Sequence, residues 1–336
     1  MKKILSVVLG LSLASTAIAQ DKDFDQYVKG LKAEAIEKGI SAPIVDRAFA
    51  EVNYKPRAVK ADRNQPEKRL TLDEYIPKAV PDWKVKQAKE LYKKHYAELT
   101  RIGEEYGVQP RFIVALWGIE SNFGRFTGNY SVVDALSTMA YDGRREEFFR
   151  KELMAALTIL DQGHIEVEDM KGSWAGAMGQ CQFMPSSFIN FAADGNGDGK
   201  KDIWNTEADV FASAANYLSQ SGWDDSYTWG RQVKLPNGFD MNLEGRVQGK
   251  EKTLTEWNSL GITRYDGRAL PKLDNDIVAW LTAPDNANGR VYLVYNNYNV
   301  LMKWNRSYYF ALAVSHLADR IMLDQAHYRT MYLGAL

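Results

Sequence analysis

Apolar residues recur every three or four positions along most of this chain, which predicts a mainly helical protein. Residues 22–52 read as two short helices, the second opening at Ser41-Ala42-Pro43, where Ser caps and Pro fills the first turn. The stretch 54–74 is polar, holds Pro56 and Pro66, lacks a clear period and reads as an extended crossing segment. From 82 to 106, apolar residues at Ala88, Leu91, Tyr92, Tyr96, Leu99 and Ile102 predict one long amphipathic helix closed by Gly107. Further helices are predicted from Pro110, over 146–160, over 209–220 and over 307–322. Residues 171–185 are rich in small residues and read as loop and tight turn. After Trp223 the pattern changes: 229–235, 278–282, 290–295 and 298–304 are β-prone and separated by turn formers. The implied class is mainly α (α+β), with a small β-containing insertion at 224–302, an N-terminal helical and extended segment at 20–80, a core at 81–223 and a C-terminal helix at 303–336 that returns to the core.

Within the helix that starts at Pro110, the run Trp117-Gly118-Ile119-Glu120-Ser121-Asn122-Phe123-Gly124 places one carboxylic acid among apolar neighbours. Ile113, Leu116, Trp117 and Glu120 share one face, which is expected to be the buried one. Burial without a partner charge favours the protonated form. Gly124 is the expected C-cap, and the negative helix end disfavours a nearby anion by about 0.3–1 kcal/mol. A carboxyl kept protonated near neutral pH is what a general acid requires. The ordinary alternative for a Glu near a helix end is solvation or a salt bridge.

Two further constellations stand out. The segment from Gly172 to Pro185 carries enough small residues to let backbone approach another surface closely, and Ser173 and Gln182 offer hydrogen bonds to a carboxyl or an amide. In Asp194-Gly195-Asn196-Gly197-Asp198-Gly199-Lys200-Lys201-Asp202, oxygen side chains occupy positions 1, 3, 5 and 9 of an EF-hand-like calcium loop, with Gly at position 6. Position 12 is Asn205 instead of Glu, so Glu207 or Asp209 is left to close the site, and weaker binding than in a cytosolic buffer is expected. The candidate ligand set is Asp194, Asn196, Asp198, Lys200, Asp202 and Asp209, for a structural Ca2+ and with no organic cofactor.

Residues 1–19, with Lys2-Lys3, an apolar zone and Ala17-Ile18-Ala19, have the three zones of a secretory signal peptide cleaved after Ala19. No cysteine stands at that junction and no later apolar run approaches the roughly 20 residues that span a bilayer, so neither a lipid anchor nor a membrane span is expected. A single cysteine, Cys181, leaves core packing to stabilise an exported chain of 336 residues with 45% hydrophobic content. A net charge of -1 gives no support for nucleic-acid binding. Nine Trp and 18 Tyr suit stacking against sugar rings. The four histidines form no metal motif, and no nucleophile elbow or phosphate-binding loop is present.

Three motifs in order, 117–124, 172–187 and 194–223, resemble those of the B-type membrane-bound lytic murein transglycosylases, and the similarity runs from about Phe24 to the C-terminus. The resemblance implies a lysozyme-like helical catalytic core and cleavage of the β-1,4 bond between N-acetylmuramic acid and N-acetylglucosamine, with a 1,6-anhydro end. Position by position, Glu120 matches the single catalytic acid, and Ser173 the hydroxyl that hydrogen-bonds it. Gln182 and Phe183 match substrate-contacting residues, Tyr217 a cleft tyrosine and Asn305 a polar residue facing the same cleft. Arg144 and Arg145 match paired arginines suited to lactyl or peptide carboxylates. Trp304 and Phe310 stand where a relative has tyrosine, so those hydroxyl roles do not transfer. The implied partner is the glycan strand of peptidoglycan, in the periplasm, with cell-wall synthesis or division proteins as further candidates. A hydrolytic muramidase on the same fold and a catalytically silent peptidoglycan-binding protein are the alternatives. Neither motif around Glu120 supplies the second carboxylate of an ordinary glycosidase, and nothing in the sequence places Asp134 or Asp142 opposite it.

Overall fold

The computed structural model describes residues 9–64, 70–273, 275–324 and 328, with residues 9–22 described by backbone alone. The signal-peptide expectation for 1–19 therefore falls outside the described side chains. Among the described residues, fourteen α-helices and seven short strands are found, and no helix is long and apolar enough to cross a membrane.

The chain divides into two compact units. One comprises Met1–Pro66, Thr127–Asn190 and Asp198–Asn205; the other comprises Glu67–Phe126, Phe191–Gly197 and Thr206–Leu336. The first unit is built on the helices Val132–Tyr141 and Glu146–Asp161, joined by the N-terminal helices Leu9–Glu37, Ala42–Ala48 and Pro56–Arg63. Ser41 occupies the predicted N-cap position and Pro43 the first turn, but the Ser41 hydroxyl donates to Asp161 instead of capping its own helix. The segment 54–74 is not extended. Pro56–Arg63 is helical, and so is Leu72–Ala79 beyond it, where a Thr71/Glu74 capping box starts the helix and Leu72 and Ile76 are buried one turn apart. The period in Pro56–Arg63 is hidden because its buried face is Ala58, Val59 and Asp62, one of the three being a carboxylate. Asp62 is 4% exposed and takes Arg144 on one oxygen and Arg145, at 2.8 Å, on the other. Such a partner is what lets an acid occupy a core position.

The second unit packs Pro110–Ser121 against the C-terminal helix Tyr308–Met322, with Asp82–Lys94, Tyr96–Tyr106 and Glu207–Gln220 around them. The predicted helix over 82–106 is thus two helices. His95, at φ -101° and ψ 18°, separates them while its ring packs edge-on against Trp117 and Phe211. Backbone bonds continue on either side, from His95 N to Leu91 O and from Leu99 N to His95 O, so the break is a local kink. A mixed-length antiparallel sheet follows, in the spatial order Lys252–Thr253, Val278–Thr282, Val291–Val294, Gly230–Lys234, Thr263–Arg264. Its own core includes Trp257, Leu254, Leu281 and Leu293.

The stretch 298–304, read as β-prone, is instead the helix Asn296–Trp304. Tyr298, Val300, Leu301 and Met302 are all buried, which fits a helix packed on two sides better than a strand alternating between faces. Asn297, fully buried, fixes its start by bonding the backbone of Asp224 and Tyr227.

Gly118, inside Pro110–Ser121, is required by close approach. A Cβ there would lie 2.6 Å from the Phe123 ring and 3.1 Å from Leu317. Gly118→Ala is therefore expected to lower Tm: overpacking of about 1–3 kcal/mol exceeds the helix-propensity gain of about 1 kcal/mol. Calorimetry that finds an unchanged or raised Tm would show the Phe123 ring free to move aside.

Candidate active site

Glu120 lies in the last turn of Pro110–Ser121, whose inner face is formed by Ile113, Leu116 and Trp117, none more than 4% exposed. Trp117 packs on Phe123 at 5.5 Å and on Phe211 at 5.2 Å between ring centroids. The C-cap is Asn122, not Gly124: Asn122, Phe123 and Gly124 take φ values of 51°, 60° and 80° in succession. Left-handed backbone at two non-glycine residues costs on the order of 1–3 kcal/mol each. The Ser121 hydroxyl accepts the Gly124 N–H at 3.0 Å, Phe123 N reaches Trp117 O, and the buried Phe123 ring supplies packing that offsets the strain. The helix is thereby stopped one residue pair beyond the acid.

Glu120 itself is only partly exposed. Trp304, the last residue of Asn296–Trp304, donates its indole N–H to Glu120 Oε1 at 2.6 Å. Burial raises the Glu120 pKa to about 8, and the indole hydrogen bond acts in the opposite direction. Among the described residues no neighbouring carboxylate contributes to that shift. An indole only donates, so Oε1 is an acceptor in both protonation states, which favours Oε2 as the oxygen that carries the acidic proton. The Trp304 ring packs edge-on against Tyr217 at 4.7 Å, and Tyr217 in turn lies 4.5 Å from Phe191. Tyr217, half-buried with its pKa raised by desolvation, shares a helix with Phe211, so the packing that seats Trp117 also sets the height of Tyr217. Tyr75 stands close enough that the charge of Glu120, after burial, contributes to raising its pKa. Asn305 is exposed at the C-cap of the Trp304 helix, and its Oδ1 accepts Ser307 N at 3.1 Å.

The structure thus brings Glu120, Tyr217 and Asn305 together in one unit with Trp304 and Tyr75. The last two were not singled out as site residues. Trp304 is visible in the sequence only as a departure from a tyrosine, and Tyr75 carries no local signal at all.

The other expected substrate residues belong to the first unit. The Ser173 oxygen accepts Ala177 N at 3.0 Å and Ala175 N at 3.3 Å, which leaves its hydroxyl hydrogen to donate. Gly172, whose Cβ would meet Ala177 O at 2.2 Å, is what permits that turn to close. Gln182 sits at φ 50° with its amide nitrogen donating to Thr127 O and Gly179 O, so its amide oxygen is the group left to project. Phe183 is 3% exposed and exchanges backbone bonds with Met178; its ring is core. Arg144 and Arg145 are both engaged by Asp62, and Arg145 also lies 4.7 Å over the Phe149 ring. Asp134 pairs with Lys55 at 2.9 Å and Asp142 with Arg63, so both are ion-pair members of the fold.

The 194–209 loop straddles the division of the chain. On one side, Asp194 Oδ1 accepts Gly197 N and the fully buried Asp209 accepts Gly195 N at 2.8 Å; on the other, Asp198 accepts Lys200 N, and Asp202 accepts both Trp204 N and Asn205 N. Gly197 and Gly199 take φ 78° and 87°. The donors are all oxygens, the set a hard cation selects. Among the described residues no group of three His, Cys, Asp or Glu side chains is drawn together as a metal cluster.

A mainly helical core with an acid in the last turn of a buried helix and a small sheet defines the lysozyme-like lytic transglycosylase class of fold. Residues 23–319 match the Transglycosylase SLT domain, and the chain belongs to that family. It is 32% identical over 232 residues to the membrane-bound lytic murein transglycosylase B of Escherichia coli strain K12, a match covering 67% of this chain and 60% of that protein. The matched region thus spans less than two thirds of that relative. Among solved structures, SltB3 of Pseudomonas aeruginosa in complex with NAG-anhNAM-pentapeptide superposes with a TM-score of 0.85 at 41% identity, over 89% of this chain and 79% of that one. The Escherichia coli lytic transglycosylase Slt35 in complex with calcium gives 0.73 at 26% identity, over 88% and 92%.

Trp304→Phe keeps an aromatic ring but removes the indole donor that favours ionised Glu120. The acid's pKa is expected to rise further above about 8, read by carboxyl 13C NMR titration. A fall or no change would mean that the indole does not hold the acid.

Proposed function

We propose that this protein is a lytic transglycosylase that cleaves the β-1,4 bond between N-acetylmuramic acid and N-acetylglucosamine in peptidoglycan, leaving a 1,6-anhydro-N-acetylmuramoyl end. The observation that carries this reading is a single carboxyl held protonated by burial, with no carboxylate partner contributing to its shift. An inverting or retaining glycosidase sets a second carboxylate about 5–9.5 Å away. One acid suffices when the substrate supplies the rest. Glu120 Oε2 gives its proton to the glycosidic oxygen as the C1–O bond breaks, and the muramoyl 2-acetamido oxygen bonds C1 from the other face. The Glu120 carboxylate then takes the proton of the C6 hydroxyl, O6 bonds C1, and the acetamido oxygen leaves. The acid returns to its starting state and no water is consumed. Trp304 donation to Oε1 stabilises the carboxylate between the two steps and keeps Oε2 as the oxygen that acts in both.

In this reading Ser173 offers its hydroxyl hydrogen and Gln182 its amide oxygen to the glycan strand, and Phe183 supports Gln182 from the core. Tyr217 and Asn305 line the sugar path. Arg144 and Arg145 keep unused N–H groups, beyond those given to Asp62, for lactyl or peptide carboxylates. The zones of residues 1–19 support export to the periplasm, where glycan strands are met and where wall-synthesis or division proteins are the candidate partners. Glu120→Gln is expected to lose at least about 10²–10⁴ in rate with Tm retained. Mass spectrometry of digested sacculi should show muropeptides lighter by one water than hydrolytic products. Near-normal turnover by the variant, or ordinary reducing ends from the wild type, would remove this mechanism.

A structural calcium held by Asp194, Asn196, Asp198, Asp202 and Asp209, with the Lys200 carbonyl, is part of the same proposal. The all-oxygen donors, the two left-handed glycines and the calcium complex of Slt35 support it. The ion would stiffen the loop that leads into the Tyr217 helix and take no part in the chemistry. Saturating calcium is expected to raise Tm in proportion to RT ln(1 + [L]/Kd), and Asp198→Ala to abolish the rise. If chelator and calcium give the same Tm, the loop is only a turn.

A further inference from the structure

The helix Leu72–Ala79 carries Tyr75, and its start is gripped by the turn that joins the strands Val278–Thr282 and Val291–Val294. Asp285, in that turn and 213 residues beyond Leu72, accepts the Leu72 N–H on Oδ2 at 2.5 Å. Its Oδ1 accepts the Tyr309 hydroxyl. Leu72 is the first helical residue, so its N–H is one of the four that a helix cannot pair internally. The Thr71/Glu74 capping box serves the N–H groups of Thr71 and Glu74 and leaves that of Leu72 to Asp285. The turn is shaped to deliver this carboxylate. Asn286 takes φ 68°, a Cβ at Gly289 would lie 2.6 Å from the Asp285 Cβ, and Arg290 donates Nε to Asp73 at 2.6 Å in the first turn of the same helix.

One carboxylate therefore holds both members of an aromatic pair. Tyr75 lies within one helical turn of the bonded Leu72 N–H, and its ring packs edge-on against Tyr309 at 5.3 Å. The two rings line a single cavity of about 660 Å³, and so do Ala283 and Pro284, the residues that lead into Asp285. Tyr75 also feels the charge of Glu120, so the pair borders the acid. Fold stability does not by itself call for this arrangement. Asp285 and Tyr309 are both only partly buried, and water can serve a helix start or a phenol hydroxyl at such positions. Holding both from one planar group fixes the distance between the helix start and the Tyr309 hydroxyl, and with it the spacing of the two rings.

We propose that Asp285 is a positioning residue for substrate binding, setting the spacing of Tyr75 and Tyr309 and so the shape of the wall beside Glu120. The proposal rests on Glu120 cleaving glycan strands. The test measures kcat and KM of the full chain on soluble glycan chains, with anhydro products separated by chromatography. Asp285→Ala is expected to raise KM about fivefold, as loss of one net hydrogen bond does, while kcat changes by less than about twofold. Asp285→Asn is expected to keep KM within about twofold of wild type, because its amide oxygen accepts the Leu72 N–H while its NH2 donates to the Tyr309 oxygen. A pure charge effect would leave the Asn variant as impaired as the Ala variant, and overturn the proposal. Tyr309→Phe cuts the second bond without touching the helix start. It should raise KM similarly, and combining it with Asp285→Ala should add less than about twofold more. Additive losses, or an unchanged KM in Asp285→Ala with only Tm lowered, overturn the proposal too. If circular dichroism finds Asp285→Ala unfolded, Tyr309→Phe carries the test, and an unchanged KM there is equally fatal. A wild type that yields no product sinks the reading at Glu120, whereas an active wild type indifferent to Asp285→Ala sinks this proposal alone.

Discussion

Everything distinctive about the second unit follows from holding one un-ionised carboxyl at the end of a buried helix. Without a partner charge, Glu120 is stable there as an acid and costly as an anion, so its environment must neither solvate it fully nor pair it. Trp304 resolves that tension with a single N–H aimed at one oxygen, 2.6 Å away. A lysine or arginine in the same place would favour the ionised form and end the acid's usefulness near neutral pH. An apolar residue would leave the carboxyl free to rotate and its proton on either oxygen. The indole is a donor weak enough to preserve the proton and directional enough to place it.

The packing around that contact is correspondingly strict. The acid helix is seated by Trp117 between Phe123 and Phe211, with Gly118 giving Phe123 room. Its end is stopped by left-handed residues that would be strained elsewhere. The indole arrives on a helix whose start is anchored by the buried amide of Asn297. Tyr217 then packs edge-on against the indole from the same helix that carries Phe211, so one aromatic cluster determines the positions of the acid, its donor and the ring beside them. In the first unit the equivalent constraint is electrostatic: Asp62 occupies a core position and is tolerated because Arg144 and Arg145 converge on it.

Most of the helices and the place of Glu120 in a buried apolar run were legible in the sequence because both are local properties. A 3.6-residue period, a Pro at the first turn, an apolar run around one acid and glycines at calcium-loop spacing each depend on neighbours within about a dozen residues. The sheet strands at Val278–Thr282 and Val291–Val294 were legible for the same reason. Where local pattern misled, a tertiary partner had changed what counts as a core residue. The buried face of Pro56–Arg63 includes Asp62, so it read as polar, and Asn296–Trp304 is buried on two sides, so its aromatic and branched residues read as strand. The kink at His95 depends on rings from two other helices, which no period within 82–106 records.

What the chain alone determined, then, is which segments are helical and that one of them ends on a candidate acid; those outcomes follow from backbone propensity and the burial of nearby apolar groups. Tertiary structure alone decided the donor to that acid, 184 residues away, the use of Arg144 and Arg145 by Asp62, and the hold of Asp285 on both Leu72 and Tyr309. Contacts of that separation are selected by how whole elements pack, and side-chain identity at either end is compatible with many partners until the packing has chosen one.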